Sequence, residues 1–222
     1  MKTKAVHLLF LSTLLTVMMC LSCSDAAPSI NSIQTSVVFD FADEENTPDQ
    51  RLSLFIQTDE INRLEKIQAV HLQSGLEWNV FDARKISSKE SKKWAGYTKL
   101  VPAYGSSIPV GKYSVRYTDA ADKECESFFV ITYQNDFLDK KASDFPGAIK
   151  EKYSVYVAVY SADNTLIGYE KLKKKWTDIK AIRDEIPMAD SIRKCYVINN
   201  GSTMIMMPFE KENIEQMENE GE

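Results

Sequence analysis

Apolar side chains recur at every second position through successive short runs of this chain, and that period constrains the fold more than any other feature. In "IQTSVVFDF" the residues Ile33, Thr35, Val37, Phe39 and Phe41 share one face, and in "RLSLFIQ" Leu52, Leu54 and Ile56 do the same. A period of two belongs to a strand with one buried face, whereas a helix repeats every three to four positions. "EKIQAVHLQ" and "LEWNVF" follow, joined at Ser74-Gly75, a pair suited to a hairpin turn. "SSKESKKW" is polar and charged and reads as a short helix or loop. Tyr113, Val115 and Tyr117 then alternate with Lys112, Ser114, Arg116 and Thr118; "DAAD" reverses the chain, and Cys125, Phe129 and Ile131 return. Strands linked by short turns, with no long helix between them, predict an antiparallel β-sandwich over residues 33–133.

Beyond this region the pattern changes. Residues 134–152, "QNDFLDKKASDFPGAIKEK", are mostly polar and carry Pro146-Gly147, the composition of a linker or crossing segment. Tyr153, Val155, Val157 and Val159 alternate, but Tyr156 and Ala158 occupy the other face, so this strand is expected to be covered on both sides. "SADN" is a turn. In "TDIKAIRDEI", Ile179, Ile182 and Ile186 fall at helical spacing, with Thr177 or Asp178 as cap and Pro187 as stop. That helix is the candidate cover. "RKCYVINNGSTMIMMPF" reads as a hairpin turning at Asn200-Gly201, both residues tolerant of positive φ. The expectation is a mainly-β chain in two domains: a sandwich at 33–133, a linker at 134–152, and a smaller α+β domain of two hairpins and one helix at 153–209. Residues 210–222 form an acidic tail, frayed or helical rather than core.

Residues 109–117 carry Pro-x-Gly-x-Tyr-x-Val-x-Tyr. This stretch resembles the next-to-last strand of immunoglobulin-like and fibronectin-type-III-like modules of bacterial surface proteins. The Cys–Trp–Cys framework of true immunoglobulin domains is absent. The resemblance implies an Ig-like scaffold and no particular function.

The first residues set an address. Lys2 and Lys4 precede a mostly apolar run from Val6 to Leu21, interrupted by Ser12, Thr13 and Thr16. The run falls short of the roughly 20 apolar residues a bilayer-spanning helix needs, and its three-part layout is that of a secretory signal. It ends in Leu21-Ser22-Cys23, which resembles the lipobox of bacterial lipoprotein precursors. The resemblance implies a signal peptide at 1–22, acylation at Cys23 with diacylglyceryl and palmitate groups, and cleavage before that cysteine. Cys20 stands where the family usually has Leu; preceded by the bulky Met19, it is the poorer acceptor. Two or three acyl chains hold a protein on a bilayer where one is marginal. Residues 23–32 then serve as a lipidated tether. In enteric lipoproteins an Asp directly after the lipidated cysteine retains the protein in the inner membrane; here Ser24 stands there and Asp25 follows. The implied location is the cell envelope, at the outer membrane, on its periplasmic or surface side.

Removing residues 1–22 takes away Lys2 and Lys4 and no acid, moving the net charge from −5 to −7. That balance argues against a nucleic-acid partner. Only His71 follows the signal, so a nucleophile–histidine pair has a single candidate base, and His71 reads as an ordinary strand residue. No G-x-S-x-G, H-E-x-x-H or glycine-rich phosphate loop occurs. Cys125 and Cys195 are read as separate small apolar residues, a bridge between them being the alternative. Asp40, Asp43, Glu44, Glu45 and Asp49 crowd one loop, a composition calcium favours, but their spacing is not that of an EF-hand and a solvated acidic loop explains them. Asn200-Gly201-Ser202 spells a glycosylation sequon that its turn chemistry already explains. Met204, Met206 and Met207 are read as core, with an adaptable contact surface as the alternative, and "KLKKKW" (171–176) as a solvated strand end. No metal, cofactor or catalytic residue is assigned.

These readings converge on a non-catalytic, lipid-anchored envelope protein that recognises a protein or a glycan. The alternatives are a small-molecule binder holding its ligand between the two halves near Trp78, Trp94 or Trp176, and a hydrolase working with carboxylates alone. The residues name no ligand.

Overall fold

The alternating runs become strands. The computed structural model describes residues 27–87 and 92–211. The signal with Cys20, residues 23–26 of the tether including Cys23, part of "SSKESKKW" and the tail beyond Lys211 lie outside the described residues. The strands are β1 (Ser32–Asp40), β2 (Asp49–Gln57), β3 (Leu64–His71), β4 (Glu77–Val80), β5 (Arg84–Ser87), β6 (Lys93–Leu100), β7 (Gly111–Asp119) and β8 (Glu124–Ile131). They continue as β9 (Tyr153–Tyr160), β10 (Leu166–Lys171), β11 (Ser191–Ile198), β12 (Thr203–Met206) and β13 (Glu210–Lys211), with helix α1 (Ile179–Arg183) between β10 and β11.

Two sheets result, and the protein is a mainly-β sandwich. The small sheet runs β4-β3-β7-β8. The large one runs β10-β9-β11-β12-β1-β2-β6-β5, with β13 pairing β11. The antiparallel expectation has one exception: β1 and β12 pair parallel, from Val37↔Thr203 to Asp40↔Met206. Through that pair the two halves of the chain share one sheet.

Leu52, Leu54, Ile56, Val37 and Phe39 project from the large sheet onto Ile67, Ala69, Tyr113, Val115 and Tyr117 of the small one, all buried. Tyr196, Ile198 and Ile205 from the second half join the same cluster. So do Phe137, Ala142 and Phe145, from the segment expected to be a linker. That segment forms two 3-10 turns, Asn135–Asp139 and Ala142–Asp144, which present one apolar side chain each while the polar residues stay outside. Phe137 meets Phe39 edge-on at 5.5 Å, and Phe145 lies 5.5 Å from Phe41. Such short turns have no repeat that a sequence pattern could reveal.

Helix α1 is capped as expected: the Asp178 side chain accepts from the Ala181 N–H at 2.8 Å. Five residues are too few for an isolated helix. Packing supplies the stability, because Ile179 and Ile182 bury against Val157, Val159 and Ile192, with Trp176 and Ala189 alongside. Each fully buried Ile contributes about 1.5–3 kcal/mol relative to exposure. Val155, Val157 and Val159 share one face of β9, as Ile192, Tyr196 and Ile198 do of β11. The helix and the small sheet therefore cover the same face of the large sheet. The start of the expected tail, Glu210–Lys211, is a short strand on β11.

Candidate functional site

The opposite face of the large sheet carries a groove of about 490 Å³. Ser36 on β1 and Ser53 on β2 lie at the middle of the strand order, with Gln34 and Thr35 beside them. To one side stand Phe55, Trp94 and Ile86; to the other, Met204, Val197, Tyr156 and Tyr169. Every one of the eight strands in the ordered path contributes a residue. Tyr156 and Tyr169 form a stacked pair, with ring centroids 5.2 Å apart and planes 13° from parallel. The Tyr169 hydroxyl donates to Cys195 Sγ at 3.9 Å, and burial raises its pKa above the ordinary tyrosine value. Ser36 Oγ donates to the Gly201 carbonyl. Gly96 sits under Phe55: a Cβ there would lie 2.0 Å from the Leu54 carbonyl oxygen and 2.7 Å from the Phe55 ring. The absence of a side chain at Gly96 thus lets Phe55 lie against β6 and form part of the groove.

No Asp, Glu, Lys, Arg or His lines this groove. It offers hydroxyls, an amide and aromatic faces, so it can bind and orient, but it holds no group that changes charge near neutral pH.

Comparison with protein-family models and with curated proteins returns no match. The reading of the site therefore rests on its geometry.

On the same face, in register with Tyr156 and Tyr169, charge is concentrated and engaged. Arg193 donates to Asp40 Oδ1 at 2.6 Å, to the Phe41 carbonyl at 2.9 Å and, through Nε, to the Met207 carbonyl at 2.6 Å. Arg51 pairs with the other oxygen of Asp40 at 3.3 Å and donates to the Thr98 carbonyl at 2.7 Å. The Phe209 ring lies beneath the Arg193 guanidinium and against Tyr160. This cluster ties β1, β2 and β11 together across the parallel junction.

The residues singled out in the sequence do not gather into one site. Of the three tryptophans only Trp94 reaches the groove between the halves. Trp78 Nε1 donates to the Val101 carbonyl at 2.8 Å, and Trp176 is buried with Nε1 on Glu185 Oε1 at 2.7 Å. The basic run "KLKKKW" wraps Glu185, which Lys173 and Lys175 both approach at 2.9 Å. His71 is buried in β3; its Nδ1 accepts the Ser74 N–H at 3.1 Å and lies 2.7 Å from Ser74 Oγ. Its Nε2 has no partner among the described residues, and no carboxylate orients the ring as a catalytic triad requires.

Cys125 and Cys195 are free thiols; Cys195 is buried and Cys125 half-buried. Burial pushes the Cys195 thiol up to about 11, so it stays protonated and unreactive. The acidic loop is divided among separate partners. Asp43 accepts from the Asn46 and Glu45 N–H groups at 2.8 and 2.9 Å, contacts that hold its carboxyl below the ordinary value. Glu45 pairs with Lys141 at 2.8 Å, and Asp40 with the two arginines. Among the described residues no three His, Cys, Asp or Glu side chains converge to hold a metal. Asn200-Gly201 forms the turn between β11 and β12, with φ of 56° and 95°. Met204, Met206 and Met207 are half-buried; Met204 lines the groove, and Met206 Sδ contacts Arg51. The chain also holds one Ser-x-x-Lys spacing, Ser191 to Lys194. On a strand, positions three apart face opposite ways; Ser191 is fully buried and Lys194 pairs with Glu210 at 2.8 Å.

Sequence reasoning missed Phe55, Tyr156, Tyr169 and Gly96. The apolar second face of β9, Tyr156 and Ala158, is expected to be covered; instead helix α1 closes the face of Val157 and Val159, and the Tyr156 side lines the groove.

Proposed function

We propose that this protein is a lipid-anchored component of a bacterial cell envelope that recognises a partner through the groove, without catalysis. The observation that carries the reading is a single uncharged, aromatic-walled depression built jointly by both halves of the chain. Leu21-Ser22-Cys23 supplies the anchor. Residues 24–26 would link Cys23 to the fold, since Pro28 is buried, Ile30 packs on the core and the Asn31 N–H donates to the Gln57 carbonyl at 2.8 Å. Gln34 and Trp94 lie near the start of β1, so one wall of the groove is close to the segment that leads to Cys23. A small-molecule ligand is the second reading, favoured by a volume within the range of small-molecule sites.

Two measurements test the proposal. Radiolabelled palmitate should enter the wild-type chain and not Cys23→Ala, and the variant should leave the detergent phase. The full chain should retain a protein or glycan from envelope extract, and Trp94→Ala with Tyr169→Ala should lose it. Equal retention by both forms would remove the groove from the proposal.

A further inference from the structure

We infer that the groove binds a neutral oligosaccharide. This deepens the proposed reading and rests on it. Three properties of the lining select the ligand. First, charge: no ionisable acid, base or guanidinium faces the groove, and the chain as a whole is anionic, with net charge −5. A phosphate, sulfate or uronic acid would find no cation there, and an ammonium would find no carboxylate. Second, the mixture of groups: Ser53 offers a hydroxyl, Gln34 an amide and Ser36 Oγ, its proton engaged by the Gly201 carbonyl, an acceptor. They are flanked by the rings of Trp94 on one side and Tyr156 with Tyr169 on the other. A sugar ring presents both surfaces that match, a C–H face for an aromatic platform and hydroxyls that both donate and accept. An acyl chain would satisfy the walls but dehydrate the hydroxyls and the Gln34 amide without replacing their hydrogen bonds. Third, shape: residues from eight strands line the groove, and neighbouring strands lie about 4.8 Å apart, so the occupant is elongated rather than a single ring.

A peptide added as a strand does not fit. The groove lies on the face of the sheet, where the backbones of β1, β2, β11 and β12 already pair on both sides. Strand addition needs an open edge.

The test uses the full chain in phosphatidylcholine nanodiscs, titrated with cellohexaose, maltohexaose and chitohexaose and followed by tryptophan fluorescence and calorimetry. At least one should bind. Trp94→Ala and Tyr169→Ala should each weaken binding about tenfold, with melting lowered by no more than about 4 °C, while Phe128→Ala on the outer face of β8 has no effect. Silence with all three sugars, or binding indifferent to Trp94 and Tyr169, overturns the inference. cis-Parinaric acid, with the bilayer signal of protein-free nanodiscs subtracted, separates the two levels of failure. If it fluoresces in the groove, is lost in Trp94→Ala and no sugar binds, the occupant is an acyl chain; the sugar falls while the groove remains the recognition site. If neither ligand class nor retention from envelope extract depends on these residues, both readings fall.

Discussion

The two faces of the large sheet are built from the same strands and differ in nearly everything else. One face carries Val37, Phe39, Leu52, Leu54, Ile56, Tyr196 and Ile198, and it is closed by the small sheet and helix α1. The other carries Ser36, Ser53, Phe55, Trp94, Tyr156 and Val197, and nothing covers its groove among the described residues. A solvated sheet face ordinarily turns polar at alternate positions. Here it keeps large aromatic rings, with Tyr169 44% exposed. The open face carries two kinds of surface: an uncharged groove, and a salt-bridged cluster around Arg193 that lies in register with Tyr169 through Ala158. The closed face is explained by packing. The cluster is explained by the need to hold a parallel junction, and the groove is left with aromatic side chains that the core does not require.

The largest expected effect tests the junction. Arg193→Ala removes a nearly buried guanidinium and leaves Asp40 and two carbonyls short of partners. It should cost about 3–5 kcal/mol in urea unfolding, and a loss below about 1 kcal/mol would show that the halves hold together without it. Gly96→Ala should cost about 1–3 kcal/mol by overpacking β2 against β6. It should also disturb ligand binding by moving Phe55, and a structure of the variant with Phe55 unmoved would contradict the role given to this glycine. Trp94→Ala and Tyr169→Ala should change stability by no more than about 0.5–1 kcal/mol, so that binding and folding separate on the open face.

On the closed side, hydrogen bonds from Lys175, Lys173 and then Trp176 hold the Glu185 carboxyl down at about 2. A carboxyl depressed on folding adds stability that is complete above its ordinary value of 4.5 and lost as pH falls toward 2. Glu185→Gln should therefore lower the melting temperature at pH 6 and lose that difference near pH 2, with Trp176 fluorescence as the local probe. The smallest effect concerns Cys195: iodoacetamide should leave it unmodified in the native protein at neutral pH and label it after unfolding, as mass spectrometry of the peptide would show.

Most of the closed face was legible because burial leaves a local period. Leu52, Leu54 and Ile56, the inward Tyr113, Val115 and Tyr117, the Ser74-Gly75 and Asn200-Gly201 turns and the Asp178 cap all follow from neighbours a few residues apart. The 134–152 segment escaped that reading because Phe137, Ala142 and Phe145 enter the core from irregular turns. The groove escaped for a different reason. Trp94 was singled out only as one of three tryptophans, and Phe55, Tyr156 and Tyr169 belong to runs whose alternation says which way they face but not what lies beside them.

By itself the sequence determined the strands other than β5, β6 and β13, their inward sides, the turns between them and the short helix that covers β9. Those depend on side-chain period, φ preference and capping, which act within one run of chain. Only the tertiary structure decided that β1 would pair parallel with β12, that one sheet would carry both halves, and that residues from Gln34 to Met204 would line one uncharged groove. Strand order is set by long-range packing, and a side chain that is unexceptional in its own strand acquires a partner only when a distant strand is placed next to it.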